Sequence, residues 1–278
     1  MYKRLAAAAL LALTMTGPAG AQVLRFGLAE DPDALDPTLG RTFVGRIVFA
    51  ALCDKLVDIA PDLKVVPRLA TEWKWSADNK TLTMKLRPGV LYHDGEKFDA
   101  ASVKFNLERH LTLQGSQRRG EISAIDKVEA PDELTVVINL KTPFAPLIAQ
   151  LTDRAGMMVS PKAATALGDK FATAPVCSGP YKFVERVAQD RIVLEKFDKH
   201  WEHDKYAFQR IEFRPFIDAS VRLANLRSGQ LDILERLAAT DVTQVKGDAK
   251  LKMGAITELG YQGITFNVGK SEIGRAHV

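Results

Sequence analysis

The sequence predicts an α/β protein, because stretches with a two-residue hydrophobic period are interspersed with stretches of helical period. Thr81–Arg87 alternates apolar and polar side chains, which is the pattern of a half-buried strand. Leu134–Leu140 repeats that alternation after a turn at Ala130–Glu133, which predicts a hairpin with Ile125–Val128. Between these strands, Asp99 can cap a helix whose apolar residues fall on one face: Val103, Leu107 and Leu111.

The remaining elements follow from the same periods and from capping residues. Ser160 and Pro161 suit the cap and first position of a helix that ends at Gly168, and Asp218 suits the cap of a helix closed by Gly229. The helix capped by Asp218 is predicted over Ala219–Ser228, and the further predicted helices are Arg41–Ile59 and Pro143–Leu151. The further predicted strands are Val23–Ala29, Gly156–Val159, Arg191–Phe197 and Ile211–Phe216.

Composition and charge are those of a globular protein without a nucleic-acid-binding surface. The 278 residues are 46% hydrophobic and 26% charged, which is enough apolar material for one large or two modest domains. Basic and acidic residues are interleaved, so the formal charge of +4 indicates a solvated surface rather than a basic patch. We therefore expect no nucleic-acid partner.

Residues 1–21 have the three parts of a secretory signal peptide. Lys3 and Arg4 form the charged start, Leu5–Met15 the apolar stretch, and Ala19–Ala21 a small-residue cleavage site. The apolar stretch is shorter than a membrane-spanning helix requires. The sequence thus predicts a protein exported through a cleaved signal peptide into the periplasm.

The two cysteines, Cys53 and Cys177, are too few for a zinc site but can form one disulfide in an oxidising compartment. The alternative is two separate buried thiols. We favour the disulfide, because free thiols are exposed to oxidation outside the cytoplasm.

Three stretches resemble family 5 of the bacterial solute-binding proteins, the extracytoplasmic binding components of peptide-type ABC importers. They are "LATEWKWS" with "TLTMKLRPGVLYHDGEKFDAASVKFNLER", "CSGPYKFVERVAQDRIVLEKF", and "RSGQLDIL". That family includes dipeptide-, oligopeptide-, glutathione- and nickel-binding members. The resemblance implies a periplasmic binding protein-like fold of class II, peptide-binding type. It also implies a monomeric receptor for a peptide or peptide-like solute, an ABC permease as partner, no cofactor and no enzymatic activity.

The resemblance also implies how the chain is divided. Lobe I is expected from residues 22–52 and 174–267, with lobe II inserted as residues 53–173. Family members run nearly twice as long, so their third lobe is expected to be missing. Residues 268–278 are interpreted as the start of that lobe followed by a non-native tail.

Candidate ligand-binding residues lie in two loops. In relatives the backbone of the loop after the first strand borders the ligand cleft, which assigns Asp33, Ala34 and Leu35 to binding. Arg118 and Arg119 belong to a loop that reaches toward the cleft in relatives, although a solvated basic loop is the simpler interpretation.

Other classes of function find weaker support in the sequence. A hydrolase would need an activated nucleophile, and neither a G-x-S-x-G nor an H-E-x-x-H motif is present. The segment His200–Asp204 holds potential metal ligands, but an exposed polar turn is the simpler interpretation, so no metal site is assigned. The alternatives left open are a nickel-chelate or other small-solute receptor, a scaffold or chaperone-like protein, and a non-binding truncated product.

Overall fold

The computed structural model describes residues 22–256. The chain divides into two compact units, the first of which ends at Leu237 and the second of which begins at Ala238. The second unit contains a short helix α6 (Val242–Lys246). The predicted signal peptide, the family-like segment Tyr261–Asn267 and the predicted tail 268–278 lie outside the described residues. No helix within 22–256 is long and apolar enough to cross a membrane.

The first unit contains a five-stranded sheet in the order β11-β1-β10-β9-β8. β1 runs parallel to both of its neighbours, whereas β8, β9 and β10 pair antiparallel. The strands are β1 (Val23–Leu28), β8 (Tyr181–Val187), β9 (Arg191–Lys196), β10 (Arg210–Pro215) and β11 (Ile233–Leu234). Helices α1 (Phe43–Leu52), α4 (Pro161–Leu167) and α5 (Ala219–Arg227) belong to the same part of the chain.

A second sheet has four antiparallel strands in the order β4-β5-β7-β6. Its strands are β4 (Ala70–Trp75), β5 (Thr81–Leu86), β6 (Ile125–Asp132) and β7 (Thr135–Leu140). Helix α2 (Ala100–Thr112) packs on it and starts at a capping box of Asp99 and Ser102, as predicted for Asp99. A small ribbon, β2 (Val57–Ile59) with β3 (Val65–Pro67), and helix α3 (Leu147–Gln150) complete this part.

Each of the two larger sheets has its own hydrophobic core. One core draws its buried residues from the range 56–158, and the other from 28–53 together with 157–213. These ranges run close to the predicted lobe II and lobe I. The division into lobes itself stays a prediction.

The predicted helix Arg41–Ile59 is wrong at its second half. Helix α1 ends at Leu52, Cys53 is extended, and Val57–Ile59 forms β2. Tertiary hydrogen bonds explain the change: the Leu56 N–H donates to the Gly156 carbonyl over 2.8 Å, and its carbonyl accepts from Ala70 over 2.8 Å. Partners from distant segments thus override a helical pattern in the sequence.

Two predictions about strands are wrong in smaller ways. β6 continues through Pro131 to Asp132, which is possible because β6 is an edge strand and an edge needs no N–H at every position. Gly156–Val159 forms two isolated bridges instead of a strand. The caps predicted at Ser160 and Asp218 are confirmed.

Candidate ligand-binding edge

The carboxyl ends of the parallel strands β1, β10 and β11 lie side by side. We call this surface the carboxyl edge and define it as residues 29–43, 216–218 and 235–236. Ligands of α/β proteins bind in the crevice beyond the carboxyl ends of parallel strands. The fold therefore makes the carboxyl edge the candidate ligand-binding surface.

Arg222, a buried residue of α5, ties two of these strand ends together. Its guanidinium donates to the carbonyls of Phe216 and Ile217 after β10, and to those of Glu235 (3.1 Å) and Arg236 (2.9 Å) after β11. Burial lowers the pKa of Arg222, yet the four carbonyl dipoles compensate the charge. The edge is thus rigidly connected on its β10–β11 side.

The loop from residue 29 to residue 42 is also fixed at its start. The Ala29 N–H donates to the Glu235 carboxylate over 2.7 Å, and Asp31 forms an ion pair with Arg186 over 3.0 Å. Arg186 also donates to the carbonyl of Pro32. The loop therefore leaves β1 in one defined direction.

The predicted binding residues Asp33, Ala34 and Leu35 lie on the carboxyl edge but differ in accessibility. Asp33 is exposed and Ala34 is half-buried, whereas Leu35 is 0% exposed and its side chain belongs to the core of the five-stranded sheet. The Asp33 carboxylate accepts from the backbone N–H groups of Arg41 (3.0 Å) and Thr42 (3.3 Å). Although partial burial acts to raise it, these hydrogen bonds lower the pKa of Asp33 below its ordinary value.

The peptide groups of Leu35 have an unusual environment. Neither its N–H nor its carbonyl has a hydrogen-bond partner among residues 22–256, although the residue is fully buried. Buried peptide groups are nearly always paired.

The predicted residues Arg118 and Arg119 have different environments. Arg118 is only 3% exposed, pairs with Glu121 and donates to the Gly40 carbonyl over 3.3 Å, so the prediction of a solvated loop is wrong for it. Arg119 donates to three carbonyls at the end of α2, those of Leu111, Thr112 and Leu113. Both guanidiniums are thus engaged by the protein, and a direct ligand role stays a prediction.

Sequence reasoning missed an aromatic and cationic group on the edge. Phe43 is 38% exposed, and the guanidiniums of Arg46 and Arg236 lie 5.8 Å and 5.1 Å from its ring centroid. Arg236 has a left-handed backbone with φ 55° and only long ion pairs, 3.4 Å to Glu235 and 3.9 Å to Glu30. Strained backbone of this kind concentrates at functional sites.

Arg41 is a further cation, in the loop that precedes α1. Its side chain is exposed and forms no ion pair within the described part of the chain. Arg41 and Phe43 are close in the sequence, whereas Arg236 reaches the Phe43 ring only because β11 pairs with β1. Guanidiniums beside an aromatic ring are suited to bind carboxylate groups.

The potential metal ligands of His200–Asp204 do not converge on a common point. His200 is buried and bonded to the Asp54 carboxylate over 2.8 Å, while Glu202 pairs with Arg68 over 2.8 Å. No cluster that could hold a metal ion occurs in residues 22–256. An exposed turn is nevertheless the wrong description for His200.

Asp54 is instead the centre of a buried polar junction between the two cores. It accepts from His200, from the Trp201 indole over 2.7 Å and from Arg68 over 3.0 Å. Burial acts to raise the pKa of Asp54, but the hydrogen bond from His200 and the charge of Arg68 lower it overall. The guanidinium of Arg87 stacks 3.9 Å from the Trp201 ring centroid.

Beside this junction the structure joins Cys53 and Cys177 in a disulfide with a Cα–Cα distance of 4.9 Å. The bond connects the end of α1 to the segment that leads into β8. His93 binds the same segment: its Nε2 donates to the Gly179 carbonyl (2.9 Å), and its Nδ1 accepts from the Cys177 N–H (3.2 Å).

Two surface pockets share no lining residue with the carboxyl edge. One of ≈ 450 Å³ is lined by apolar residues of α1 and the five-stranded sheet, among them Ile47, Phe26 and Phe213. Another of ≈ 390 Å³ lies along β4 and β5 near Trp73 and Trp75. The first lacks the converging polar groups that orient a small polar ligand, whereas the second has Glu72, Lys74 and Lys85 among its lining residues.

Comparison with known proteins identifies the group to which this chain belongs. The family model "Bacterial extracellular solute-binding proteins, family 5 Middle" matches residues 64–278. The glutathione-binding protein GsiB of Pectobacterium atrosepticum is 34% identical over 84% of this chain and 46% of its own length. The chain thus spans about half the length of the curated relatives it matches.

Solved structures give the same answer for the fold. The periplasmic binding protein AgaA of A. tumefaciens R10, solved with agropinic acid, has a TM-score of 0.78 and 32% identity over 82% of this chain and 46% of its own. DppA of Helicobacter pylori, solved with the peptide STSA, has a TM-score of 0.75 and 26% identity over 82% of this chain and 49% of its own. The mixed α/β fold is therefore of the periplasmic binding protein type, and the chain belongs to family 5 of the bacterial extracellular solute-binding proteins.

Proposed function

We propose that the protein captures a small carboxylate-bearing solute, a peptide or peptide-like compound, at the carboxyl edge. The observation that carries this proposal is the edge itself. There the guanidinium of Arg236 lies 5.1 Å from the centroid of the exposed Phe43 ring, and the exposed cation Arg41 belongs to the loop that leads into α1. Guanidiniums recognise a carboxylate, and the loop at the exposed Asp33 can present backbone groups to the main chain of an extended ligand.

The similar proteins support the same ligand chemistry. GsiB of Pectobacterium atrosepticum and AgaA, each more than 30% identical to this chain, are a glutathione-binding protein and a protein solved with agropinic acid, and both compounds are acids. Backbone recognition tolerates many side chains, which suits peptide-like solutes. We accordingly prefer an acidic, peptide-like solute to a nickel chelate.

In this proposal the protein acts as the substrate-binding component of an ABC importer. It captures the solute in the periplasm as a monomer and delivers it to the membrane permease, without making or breaking bonds. Lobe I corresponds to residues 22–52 and 174–267, and lobe II to residues 53–173. A ligand that contacts a closed state more extensively than an open one drives closure by that difference in affinity.

Calorimetric titration tests the proposal. Glutathione, agropinic acid, the dipeptide Met-Leu and Ni²⁺ are titrated into this chain and into the polypeptide encoded by the whole gene. Binding of an acid, and its weakening by esterification of the carboxylates, supports the proposal. Binding of Ni²⁺ alone, or of none of the four compounds to either polypeptide, contradicts it.

Charge-removing variants locate the site. Arg41→Gln and Arg236→Gln are each expected to weaken binding of the acid about tenfold, the effect of losing one charge-assisted hydrogen bond. Arg191→Gln is the matched control, since Arg191 pairs with Glu185 and Asp190 on the β8–β9 hairpin. An equal loss of affinity in the control would show that net charge, rather than the edge, determines binding.

A further inference from the structure

The loop of the carboxyl edge, residues 29–42, is bound by side chains that come from residues 109–154. Arg109 forms a two-pronged ion pair with Asp36, over 2.6 Å and 3.0 Å. Asp36 is 0% exposed, and the Arg109 side chain is also largely buried. The first anchor thus lies one residue beyond Leu35.

A second anchor holds Thr38. Its hydroxyl lies 2.9 Å from Nδ1 of the buried His110 and also accepts from Arg109. Its carbonyl accepts from the Gln117 N–H over 2.9 Å. Both faces of this residue are therefore fixed by α2 and the segment that follows it.

A third anchor holds Gly40. Its carbonyl accepts from Arg154 over 2.9 Å and from Arg118 over 3.3 Å, and Arg154 reaches the Thr42 carbonyl over 3.3 Å. Arg118 and Arg154 are 3% and 5% exposed. Asp36, Thr38 and Gly40 lie in one turn, in which the Leu39 and Gly40 N–H groups donate to the Asp36 carbonyl, so the anchors hold a compact segment of the loop.

These anchors are costly in stability. Burial and the neighbouring charge of Arg118 lower the pKa of Arg154. The Nε atoms of Arg118 and Arg154 and Nε2 of His110 are buried without a hydrogen-bond partner among the described residues. Apolar residues could fill the same space at lower cost, so cohesion alone does not account for three arginines at this position.

We propose that Arg109, Arg118 and Arg154 are positioning residues that set the affinity of the carboxyl edge for its solute without touching it. A loop that is already ordered loses less conformational entropy when a ligand binds. Residues of the predicted lobe II thereby tune a binding site in the predicted lobe I. The inference rests on the proposed function, since the affinity concerned is that of the carboxyl edge.

The test compares two lysine substitutions at buried arginines. Arg109→Lys keeps the charge at the loop anchor but loses the two-pronged geometry. Arg68→Lys is the matched control, because Arg68 makes a comparable buried pair with Asp54 away from the loop. Thr38→Val is a milder second variant that removes only the hydroxyl, in case Arg109→Lys fails to fold.

Solute affinity and backbone hydrogen exchange are measured on the whole polypeptide, at a temperature where circular dichroism shows each variant folded. Arg109→Lys and Thr38→Val are expected to weaken binding about tenfold or more and about threefold, respectively, while Arg68→Lys changes it less than twofold. Amide exchange in residues 33–42 is expected to accelerate in the two loop variants only. A general loss of stability would lower the melting temperature of all three variants without this local pattern.

Two results would overturn the inference: wild-type affinity in a folded Arg109→Lys protein, or an equal loss of affinity in Arg68→Lys. Failure of the proposed function gives a different result, because no solute then binds the wild type. In that case the hydrogen-exchange experiment still tests whether the arginines position the loop. Unchanged exchange in residues 33–42 of the loop variants refutes positioning of the loop.

Discussion

Acid should destabilise this protein well above the pH at which carboxylates titrate, because two buried histidines are held neutral. Burial lowers the pKa of His93 to about 4 and that of His110 to about 3. The hydrogen bonds explain why the neutral forms persist. Nδ1 of His93 accepts from the Cys177 N–H, a bond that a proton on Nδ1 would abolish. His110 is next to the charges of Arg109 and Arg118.

Proton linkage gives the direction and the size of the change in stability with pH. An unfolded histidine has a pKa of about 6.5, so between pH 6.5 and pH 4 the unfolded chain binds two more protons at these sites than the folded chain. Stability is complete above pH 6.5 and falls as the pH decreases. The two groups together remove about 5 kcal/mol between pH 7 and pH 4.5, which is comparable to the whole stability of many domains.

The assay is urea unfolding at four pH values between 7 and 4.5, for the wild type and for His110→Asn. The variant should lose stability with decreasing pH at about half the wild-type rate, because one of two titrating groups is gone. His203→Asn is the control, since His203 is half-exposed and lies in a surface turn. A wild-type stability that stays constant from pH 7 to pH 5, or an unchanged slope in His110→Asn, would refute the reasoning.

Two further predictions concern the segment around the disulfide. Replacing Cys53 and Cys177 by serine should lower the free energy of unfolding by about 5 kcal/mol, the loop-closure value for a separation of 124 residues, as measured by urea denaturation in oxidising buffer. Gly179→Ala should cost several kcal/mol on the same scale, because a Cβ would lie 2.5 Å from the Leu52 carbonyl carbon; Gly120→Ala, with open space, should cost less than about 1 kcal/mol. Similar midpoints for the two glycine variants would contradict this packing.

Much of the local structure could be predicted because it depends on short-range chemistry. The Asp99, Ser160 and Asp218 caps satisfy backbone groups within one turn of themselves. The alternation in β5 and β7 is visible in the sequence because each strand exposes one side. These elements needed no knowledge of the rest of the molecule.

The errors occur where distant segments decide the outcome. The stretch after Leu52 has helical spacing, but the hydrogen bonds of Leu56 to the Gly156 carbonyl and from the Ala70 N–H make it extended. Pro131 looked like a turn residue, and only its position on an edge strand explains why β6 continues through it. Neither fact is available from a local window of sequence.

The candidate site was predictable only in part for the same reason. The loop at Asp33 could be assigned through its family resemblance, whereas Arg236 reaches Phe43 only because β11 pairs with β1. Arg118 appeared to be a solvated surface residue, since a run of polar residues does not reveal that Gly40 and Glu121 cover it. Long-range pairing and burial were the missing information.

The central claim is that solute binds at the carboxyl edge, and a hydrogen-exchange footprint tests it most directly. Exchange is compared with and without saturating acidic solute across the described chain. Bound solute is expected to slow amide exchange in residues 33–42, 216–218 and 235–236, where the strand ends and the loop meet. Protection confined to β4 and β5 beside Trp73, or to the apolar pocket beside Phe26, would contradict it.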